Sequence, residues 1–385
     1  NRYPMPPLRD NLLIIAVFMA LLLAVLLLTR QRKSRSDYIL ATLFGVYALT
    51  LFLSYMELFN QYNDYPLPGL LNTSVPLILL HGPLLWLYTA SHTRQQFRLR
   101  IRHLVHALPS LFVVIAMGLT FFSLPAREKI RIIESGAFRD QWLFPVTVIL
   151  IALTTQGYYI WGLVLLTRYR RKIKAYFSRV SGLDLKWLRF VLIFAIASYA
   201  GISGIYLLNY LTGIADFGIM QSAGAILASC YILILGFFGL KQEHIFSSNK
   251  VSLDLEKAIH IPPEPQTLPS AEERFIDRLL QDMKEKKPYL EPELTIAELS
   301  KSMGVRSEYL SRILNSRLHK NFFDFINHYR IEEFKQRCQD PVNRNLTLMS
   351  IAWDCGFSSK ATFNRVFRNA THRTPGQYYR EVSGK

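Results

Sequence analysis

Cysteine is scarce in this chain of 385 residues, which contains only Cys230, Cys338 and Cys355. An odd number of cysteines with no closely spaced pair argues against a disulfide scaffold or a zinc ribbon, and it favours a reducing compartment. The sequence also lacks a glycine-rich phosphate loop after a strand, an HExxH helix and a nucleophile elbow. We therefore predict that the protein is not an enzyme and has no catalytic residue, metal site or cofactor.

Acidic residues are also few, because 28 Asp and Glu stand against 45 Lys and Arg, giving a formal net charge of +17. Half of the residues are hydrophobic, which is unusual beside so much charge in a soluble protein. Residues 1–240 carry 22 basic and 9 acidic side chains, whereas residues 241–385 carry 23 and 19. The more hydrophobic part is thus the more basic, as expected when apolar helices span a membrane and cations occupy their loops.

Long apolar runs give the clearest signal in the first part of the chain. A helix needs about 20 apolar residues to cross a hydrocarbon core of roughly 30 Å. Seven runs of this kind lie approximately at residues 12–29, 38–59, 67–91, 104–124, 142–167, 190–211 and 219–240. The sequence therefore predicts a seven-helix transmembrane sensor domain over residues 1–240.

The loops between these runs predict the orientation of the bundle. The loops after the first, third and fifth runs hold fifteen basic residues, and the alternate loops hold four. The positive-inside rule then places the amino terminus outside and everything after residue 240 in the cytoplasm, although Arg2 and Arg9 must be translocated. The first run is predicted to be an anchor, since RQRK follows it where a signal peptide would have small residues. The basic and aromatic run RYRRKIKAYFSRV fits contact with anionic lipid, and ordinary positive-inside topology explains it equally well.

Glu57 and His81 are ionisable residues inside the predicted spans, where such side chains are costly and are functional candidates. Glu57 lies near the outer end of the second run, and His81 lies near the middle of the third. We name both as candidate signal-sensing residues. The alternative is that Glu57 reaches interfacial water and His81 makes a single hydrogen bond between helices.

A linker is predicted between the spans and the rest of the chain. Residues 261–270 hold four prolines, so we assign residues 241–269 to a juxtamembrane and proline-rich linker. From residue 270 to the end, the chain reads as consecutive short helices. Thr295 is predicted to cap one of them, Gly304 to end it and Ser307 to begin the next, which is a helix-turn-helix pattern.

The same pattern recurs about fifty residues later, around Gly356, with a further helix from about Ser359. The amphipathic stretch Phe322–Arg337 is predicted to connect the two units. Residues 342–385 carry seven basic and two acidic side chains, a balance that suits contact with phosphates. The side chains predicted to point into the second unit are Leu346, Ile351, Ala352, Phe363, Val366 and Phe367.

The closing segment IAWDCGFSSKATFNRVFRNATHRTPGQYYR resembles the carboxy-terminal signature of the AraC/XylS family of bacterial transcription regulators. The resemblance covers roughly residues 270–380. It implies an all-α, seven-helix domain over residues 270–385, with two helix-turn-helix units that dock into successive major grooves of promoter DNA. It also implies a bacterial protein with RNA polymerase as a partner, which together with the apolar runs predicts a bacterial inner-membrane location. The positions that carry the match are Ile351, Ala352, Gly356, Phe357, Phe363, Phe367, Thr374, Pro375, Tyr378 and Arg380.

The same resemblance assigns DNA-binding positions in both units. Arginine can bind guanine bidentately, and Ser or Thr can contact base edges or phosphates. The alternative for the arginines is a solvated helix face that touches phosphates only. The assigned residues are Arg306, Glu308, Ser311 and Arg312 in the first recognition helix, and Lys360, Thr362 and Arg365 in the second.

The family usually carries a soluble sensing domain before this module, and here seven apolar runs take its place. We therefore predict a membrane-embedded one-component transcription regulator that uses the lipid bilayer, promoter DNA and an unidentified signal ligand as partners. A homodimer is left open, since one module has two recognition helices. Two other functions also stay open: a transporter-like bundle with a regulatory tail, and a membrane protein whose helix-turn-helix region binds only proteins.

Overall fold

The computed structural model describes residues 8–31, 33–94, 97–180, 183–212, 217–241 and 269–383. These residues form fifteen α-helices with short 3-10 and π turns, and they contain no β-strand beyond one isolated bridge. The predicted all-α class is therefore confirmed. Most of the predicted proline-rich linker lies outside the described residues.

The first eight helices belong to the apolar part of the chain, and six segments here are long and apolar enough to cross a membrane. The eighth helix has a shorter apolar stretch, Met220–Gly236, within its described part. One short helix, Ala126–Ser135, was not predicted. The helices are α1 (Leu8–Leu28), α2 (Arg35–Tyr62), α3 (Val75–Thr93), α4 (Leu108–Met117, followed by a π turn over Gly118–Phe122), α5 (Ala126–Ser135), α6 (Leu143–Tyr176), α7 (Lys186–Thr212) and α8 (Phe217–Lys241).

Helix α1 shows how the apolar helices pack. It contacts α2 and α8 through a stripe that includes Leu13, Ala16 and Ala20, all fully buried. Its other face is apolar as well, since Phe18 is 64 % exposed and Leu21 is 50 % exposed. A helix that is hydrophobic on every side suits a protein interior or a membrane, and a helix at a water-facing surface would present a polar face.

Seven further helices form the C-terminal part, which is the number predicted. The helices Ile296–Ser302 and Ser307–Ser316 form the first helix-turn-helix unit, and Leu348–Asp354 and Lys360–Thr371 form the second. The long helix Phe322–Gln339 connects them. Their bounds are α9 (Pro269–Glu285), α10 (Ile296–Ser302), α11 (Ser307–Ser316), α12 (Phe322–Gln339), α13 (Leu348–Asp354), α14 (Lys360–Thr371) and α15 (Pro375–Ser383).

The predicted helix boundaries of the first unit are confirmed by its caps. The Thr295 hydroxyl accepts a hydrogen bond from the backbone N–H of Glu298 at 3.2 Å, and the Glu298 carboxylate accepts one from the backbone N–H of Thr295 at 2.7 Å. This reciprocal capping box begins α10. Gly304 ends the turn with φ of +69°. In the second unit, the Ser359 hydroxyl caps α14 by accepting a hydrogen bond from the backbone N–H of Thr362 at 3.4 Å.

Helix α12 supplies side chains to the cores of both units. Phe325 and Ile326 join the first cluster, and Phe334 packs with Phe363 and others in the second. The prediction that Leu346 points into the core of the second unit was wrong. Leu346 is 42 % exposed, because it precedes Thr347, the residue that caps α13, and therefore lies outside the helix.

The described residues divide into two compact units. The first unit contains the residues up to Thr167 and those from Leu185 to Lys241. The second contains the C-terminal helices from Pro269 onward together with Arg168–Asp184, the end of α6 and the residues that follow it.

Candidate nucleic-acid interface and bundle cavity

Helix α11 presents the first set of predicted DNA-binding residues. Leu310, Ile313 and Leu314 are fully buried at the spacing of one helix face, which fixes the rotation of α11 on the core. Arg306 is the residue at the N-terminal cap. On the remaining faces lie Glu308 and Ser311, both half-buried, and Arg312, which is exposed.

Arg312 has two neighbours within the domain. Its guanidinium carbon lies 5.3 Å from the centre of the Tyr309 ring, and one terminal nitrogen lies 3.7 Å from a carboxylate oxygen of Glu272 in α9. Arg317 binds the same carboxylate more closely, at 2.7 Å. The Arg312 side chain of this pair is half exposed, and an ion pair of this length holds it only weakly.

Helix α14 presents the second set. Phe363 and Phe367 bury one face of the helix, Lys360 is exposed, and Thr362 and Arg365 are half-buried. The structure thus places all seven predicted DNA-binding residues on α11, α14 or the residue that precedes α11. It does not group them into one cluster of mutual contacts.

The surroundings of Arg365 were not predicted. Its guanidinium carbon lies 5.9 Å from the centre of the Phe323 ring at the start of α12. One terminal nitrogen of Arg365 is buried without a hydrogen-bond partner, and so is one carboxylate oxygen of Glu308. No local sequence signal indicates the Phe323 contact, because the two residues lie on different helices and 42 positions apart.

Two buried charges on α12 brace the domain. Arg330 donates from Nε to the Tyr289 carbonyl at 2.7 Å and from Nη2 to the Glu291 carbonyl at 2.6 Å. Glu333 accepts from Lys287 at 2.8 Å and Tyr289 at 3.0 Å, and it also accepts from Arg337. Burial raises the pKa of Glu333, but these three donors outweigh it and hold the pKa below its ordinary value. The carboxylate therefore stays charged at neutral pH.

Comparison with known proteins agrees with this geometry. Residues 299–381 match the family described as "Helix-turn-helix domain". The C-terminal part of the chain is thus an AraC-type helix-turn-helix domain.

Curated relatives share this part of the chain. An uncharacterized HTH-type transcriptional regulator of Staphylococcus aureus (strain COL) is 38 % identical over 86 residues, which cover 22 % of this chain and 11 % of that protein. A regulator of the same description from strain MSSA476 matches equally. Regulatory protein SoxS of Escherichia coli (strain K12) is 29 % identical over 90 residues, 23 % of this chain and 81 % of SoxS. No solved structure gives a significant match.

A cavity of about 260 Å³ lies within the first unit, and Glu57 and His81 are both among the residues that line it. His81 contacts two other helices, since its Nε2 lies 3.1 Å from the Thr50 hydroxyl in α2 and its Nδ1 lies 2.5 Å from the Tyr199 hydroxyl in α7. Glu57 is 5 % exposed. Among the described residues that line the cavity, Glu57 is the sole acid, and no Lys or Arg faces it.

Proposed function

We propose that the protein is a membrane-embedded one-component transcription regulator. Residues 1–240 form the transmembrane sensor domain, residues 241–269 the linker and residues 270–385 the DNA-binding domain. The observation that carries this proposal is the pair of capped helix-turn-helix units on α12, in one chain whose described residues include six helical segments long and apolar enough to cross a membrane. The positive-inside bias supports an inner-membrane location with the amino terminus outside and the DNA-binding domain in the cytoplasm.

The DNA-binding surface consists of α11 and α14. Arg306, Arg312, Lys360 and Arg365 supply cations for phosphates and for guanine, while Ser311 and Thr362 supply hydroxyl groups. Glu308 can accept a hydrogen bond from the amino group of cytosine. Promoter DNA, the lipid bilayer and RNA polymerase are the partners of this proposal. A homodimer is not required, because two recognition helices lie in one domain.

Promoter occupancy tests the proposed function. We expect the full-length chain to give discrete promoter peaks after crosslinking and immunoprecipitation from its host. A double variant, Arg312→Ala with Arg365→Ala, is expected to lose them, because each guanine contact contributes about 1–3 kcal/mol of discrimination. Loss of both contacts is therefore expected to weaken specific binding at least about 30-fold.

The control is a double variant that removes the same charge from another helix, Arg278→Ala with Lys284→Ala, both exposed on α9. It is expected to keep the peaks. Equal loss in both double variants would show that bulk charge alone matters. Discrete peaks that survive in the Arg312 and Arg365 variant would contradict the assigned base contacts. A chain that binds no DNA under any growth condition, and whose cytoplasmic domain captures only proteins, would favour the protein-interaction alternative.

The cavity is the proposed signal-binding site. A carboxyl group buried without a facing Lys or Arg can bind a hydrogen-bond donor or a cation from outside the protein. Most of the remaining wall is apolar, with residues such as Ile78, Phe121 and Val148. These features fit a small organic amine with an apolar body, whose ammonium group would face Glu57.

Three probes with the same tail distinguish this ligand class: hexylamine, hexanol and hexanoate. We expect hexylamine to raise the thermal midpoint of the full-length protein in nanodiscs more than the other two, because only its head group can pair with a carboxylate. Glu57→Gln should remove this difference. Glu128→Gln, which removes an exposed acid from α5, should leave it unchanged. Equal shifts with all three probes, or a hexylamine shift that persists in Glu57→Gln, would overturn the assignment.

A further inference from the structure

The segment that follows the apolar part of α6 docks onto the DNA-binding domain within the second unit. Phe177 forms an antiparallel bridge with Thr295, the capping residue of α10. The backbone N–H and the hydroxyl of Ser178 both donate to the Leu294 carbonyl, at 3.2 Å and 2.6 Å. Arg179 forms an ion pair with Glu293. This short run of backbone pairing aligns the two segments in one register.

The same segment also contacts the connecting helix α12. Asn327 donates to the Ser178 carbonyl at 3.2 Å, and Arg330 donates to the Ser178 hydroxyl at 3.3 Å. One turn earlier, the ammonium group of Lys174 lies 5.4 Å from the centre of the Phe323 ring. Phe323, Asn327 and Arg330 share one face of α12, because they follow one another at steps of four and three residues.

The residues that make these contacts form a buried polar surface. Ser178 is 1 % exposed, Asn327 is 1 % exposed and Arg330 is 2 % exposed, so their polar atoms meet one another away from solvent. Leaving a buried donor or acceptor unpaired costs about 1–3 kcal/mol. Separation of the segment from α12 would therefore require water to reach several polar groups.

The docked segment shares an aromatic ring with a DNA-binding residue. Phe323 lies beneath both Lys174 and Arg365. In this same docked form, one nitrogen of Arg365 and one oxygen of Glu308 are buried without partners. A guanidinium that contacts guanine bidentately uses Nη2 together with either Nη1 or Nε, and in Arg365 it is Nη2 that is buried. The docked form is therefore poorly prepared for base reading.

We propose that residues 174–179, which we call the latch, hold the DNA-binding domain in a form with low affinity for DNA. This inference rests on the proposed function. Helix α6 is continuous from Leu143 to Tyr176, so a displacement of its apolar part moves the latch. The signal acts by favouring the undocked form, and its effect is limited to its differential affinity for the two forms.

A reversible crosslink tests the docked form directly. Arg179 and Glu293 stand opposite each other, two positions beyond the bridge at Phe177 and Thr295. Opposed residues of an antiparallel pair have Cβ atoms about 4.5–5.5 Å apart, close to the span of a disulfide. We would introduce Arg179→Cys and Glu293→Cys into the full-length protein with Cys230→Ser, and insert a protease site among the prolines of residues 261–270.

Oxidation in membranes should keep the two proteolytic fragments joined until a reductant is added. The oxidised protein should bind its promoter at least about tenfold more weakly than the reduced protein, a difference of about 1.4 kcal/mol. Each single-cysteine variant should show neither effect. Absence of the crosslink would overturn the docked arrangement. Equal promoter affinity in the oxidised and reduced forms would overturn the inhibitory role.

A second variant releases the latch without changing the DNA-binding domain. Ser178→Leu cannot make the Ser178 hydroxyl contacts and does not fit a fully buried site, so promoter occupancy without signal should rise. Ser135→Leu, at an exposed position at the end of α5, is the control and should not change occupancy. Lower or unchanged occupancy in Ser178→Leu would overturn the latch. If the reduced protein and Ser178→Leu both bind no promoter, the proposed function itself fails.

Discussion

Replacement of Gly356 by alanine is expected to destabilise the DNA-binding domain by about 2–5 kcal/mol, from backbone strain and overpacking together. Gly356 has a φ of +87°, a left-handed conformation that is unfavourable for residues with a Cβ atom. A Cβ atom here would lie 2.5 Å from the Tyr289 carbonyl oxygen and 2.9 Å from that of Leu290. Backbone atoms cannot rotate away as the end of a side chain can, so the second unit would have to shift away from residues 289–290.

Gly304 provides a matched control for this prediction. It occupies the equivalent turn of the first unit with φ of +69°, but nothing lies within 4 Å of a Cβ atom placed on it. Gly304→Ala should therefore cost only the conformational term, about 1–2 kcal/mol. Urea-dependent proteolysis of the full-length protein in nanodiscs would compare the midpoints of the cytoplasmic domain. Equal midpoint shifts in the two variants would show that the close approach at Gly356 has no energetic consequence.

These two glycines show what the sequence could and could not predict. Both were predicted as turn residues, because a glycine after an amphipathic helix and before a capped one is a local signal. Their different surroundings depend on Tyr289 and Leu290, which lie more than 60 positions before Gly356. Caps and helix periodicity act within a few residues, so they can be predicted. Close approach between distant segments leaves no such pattern.

The end of α6 illustrates the same limit for the membrane part. The fifth apolar run was predicted to end at about Thr167, whereas the helix continues to Tyr176. Hydropathy falls at RYRRKIKAY, but Arg, Lys and Ala are good helix formers, so the helix continues beyond its apolar stretch. That run was interpreted as a loop that could lie on lipid, and its contacts with α12 depend on residues about 150 positions later.

In the candidate sites, too, the sequence predicted single residues but not the contacts between distant segments. The DNA-binding positions came from a resemblance of the C-terminal segment, and the structure places them on α11, on α14 and at the residue that precedes α11. Glu57 and His81 were selected because ionisable residues are costly in a span, but their shared cavity arises from several helices that pack together. Glu272, the partner of Arg312, comes from α9 and had no local signal.

Arg330→Met is expected to destabilise the DNA-binding domain by about 3 kcal/mol, because the Tyr289 and Glu291 carbonyls would each lose a buried donor. Burial lowers the pKa of Arg330 to about 10, so the guanidinium is still charged at neutral pH and its desolvation opposes folding. Removal of the charge relieves that cost. The free-energy cost of two unsatisfied carbonyls exceeds this gain, because methionine fills the volume but donates no hydrogen bond.

Two comparisons make the Arg330 prediction specific. Lys335→Met removes a cation from the same helix, where it pairs with Glu332 at the surface, and should change stability by less than about 1 kcal/mol. Ser178→Leu loses the latch contact of Arg330 but keeps the bonds to Tyr289 and Glu291. Arg330→Met should therefore lower both the urea midpoint and promoter occupancy, whereas Ser178→Leu should keep the midpoint of the domain and raise occupancy. Opposite signs in promoter occupancy separate the bracing role of Arg330 from its contact with the latch, and an Arg330→Met protein as stable as the wild type would contradict the bracing role.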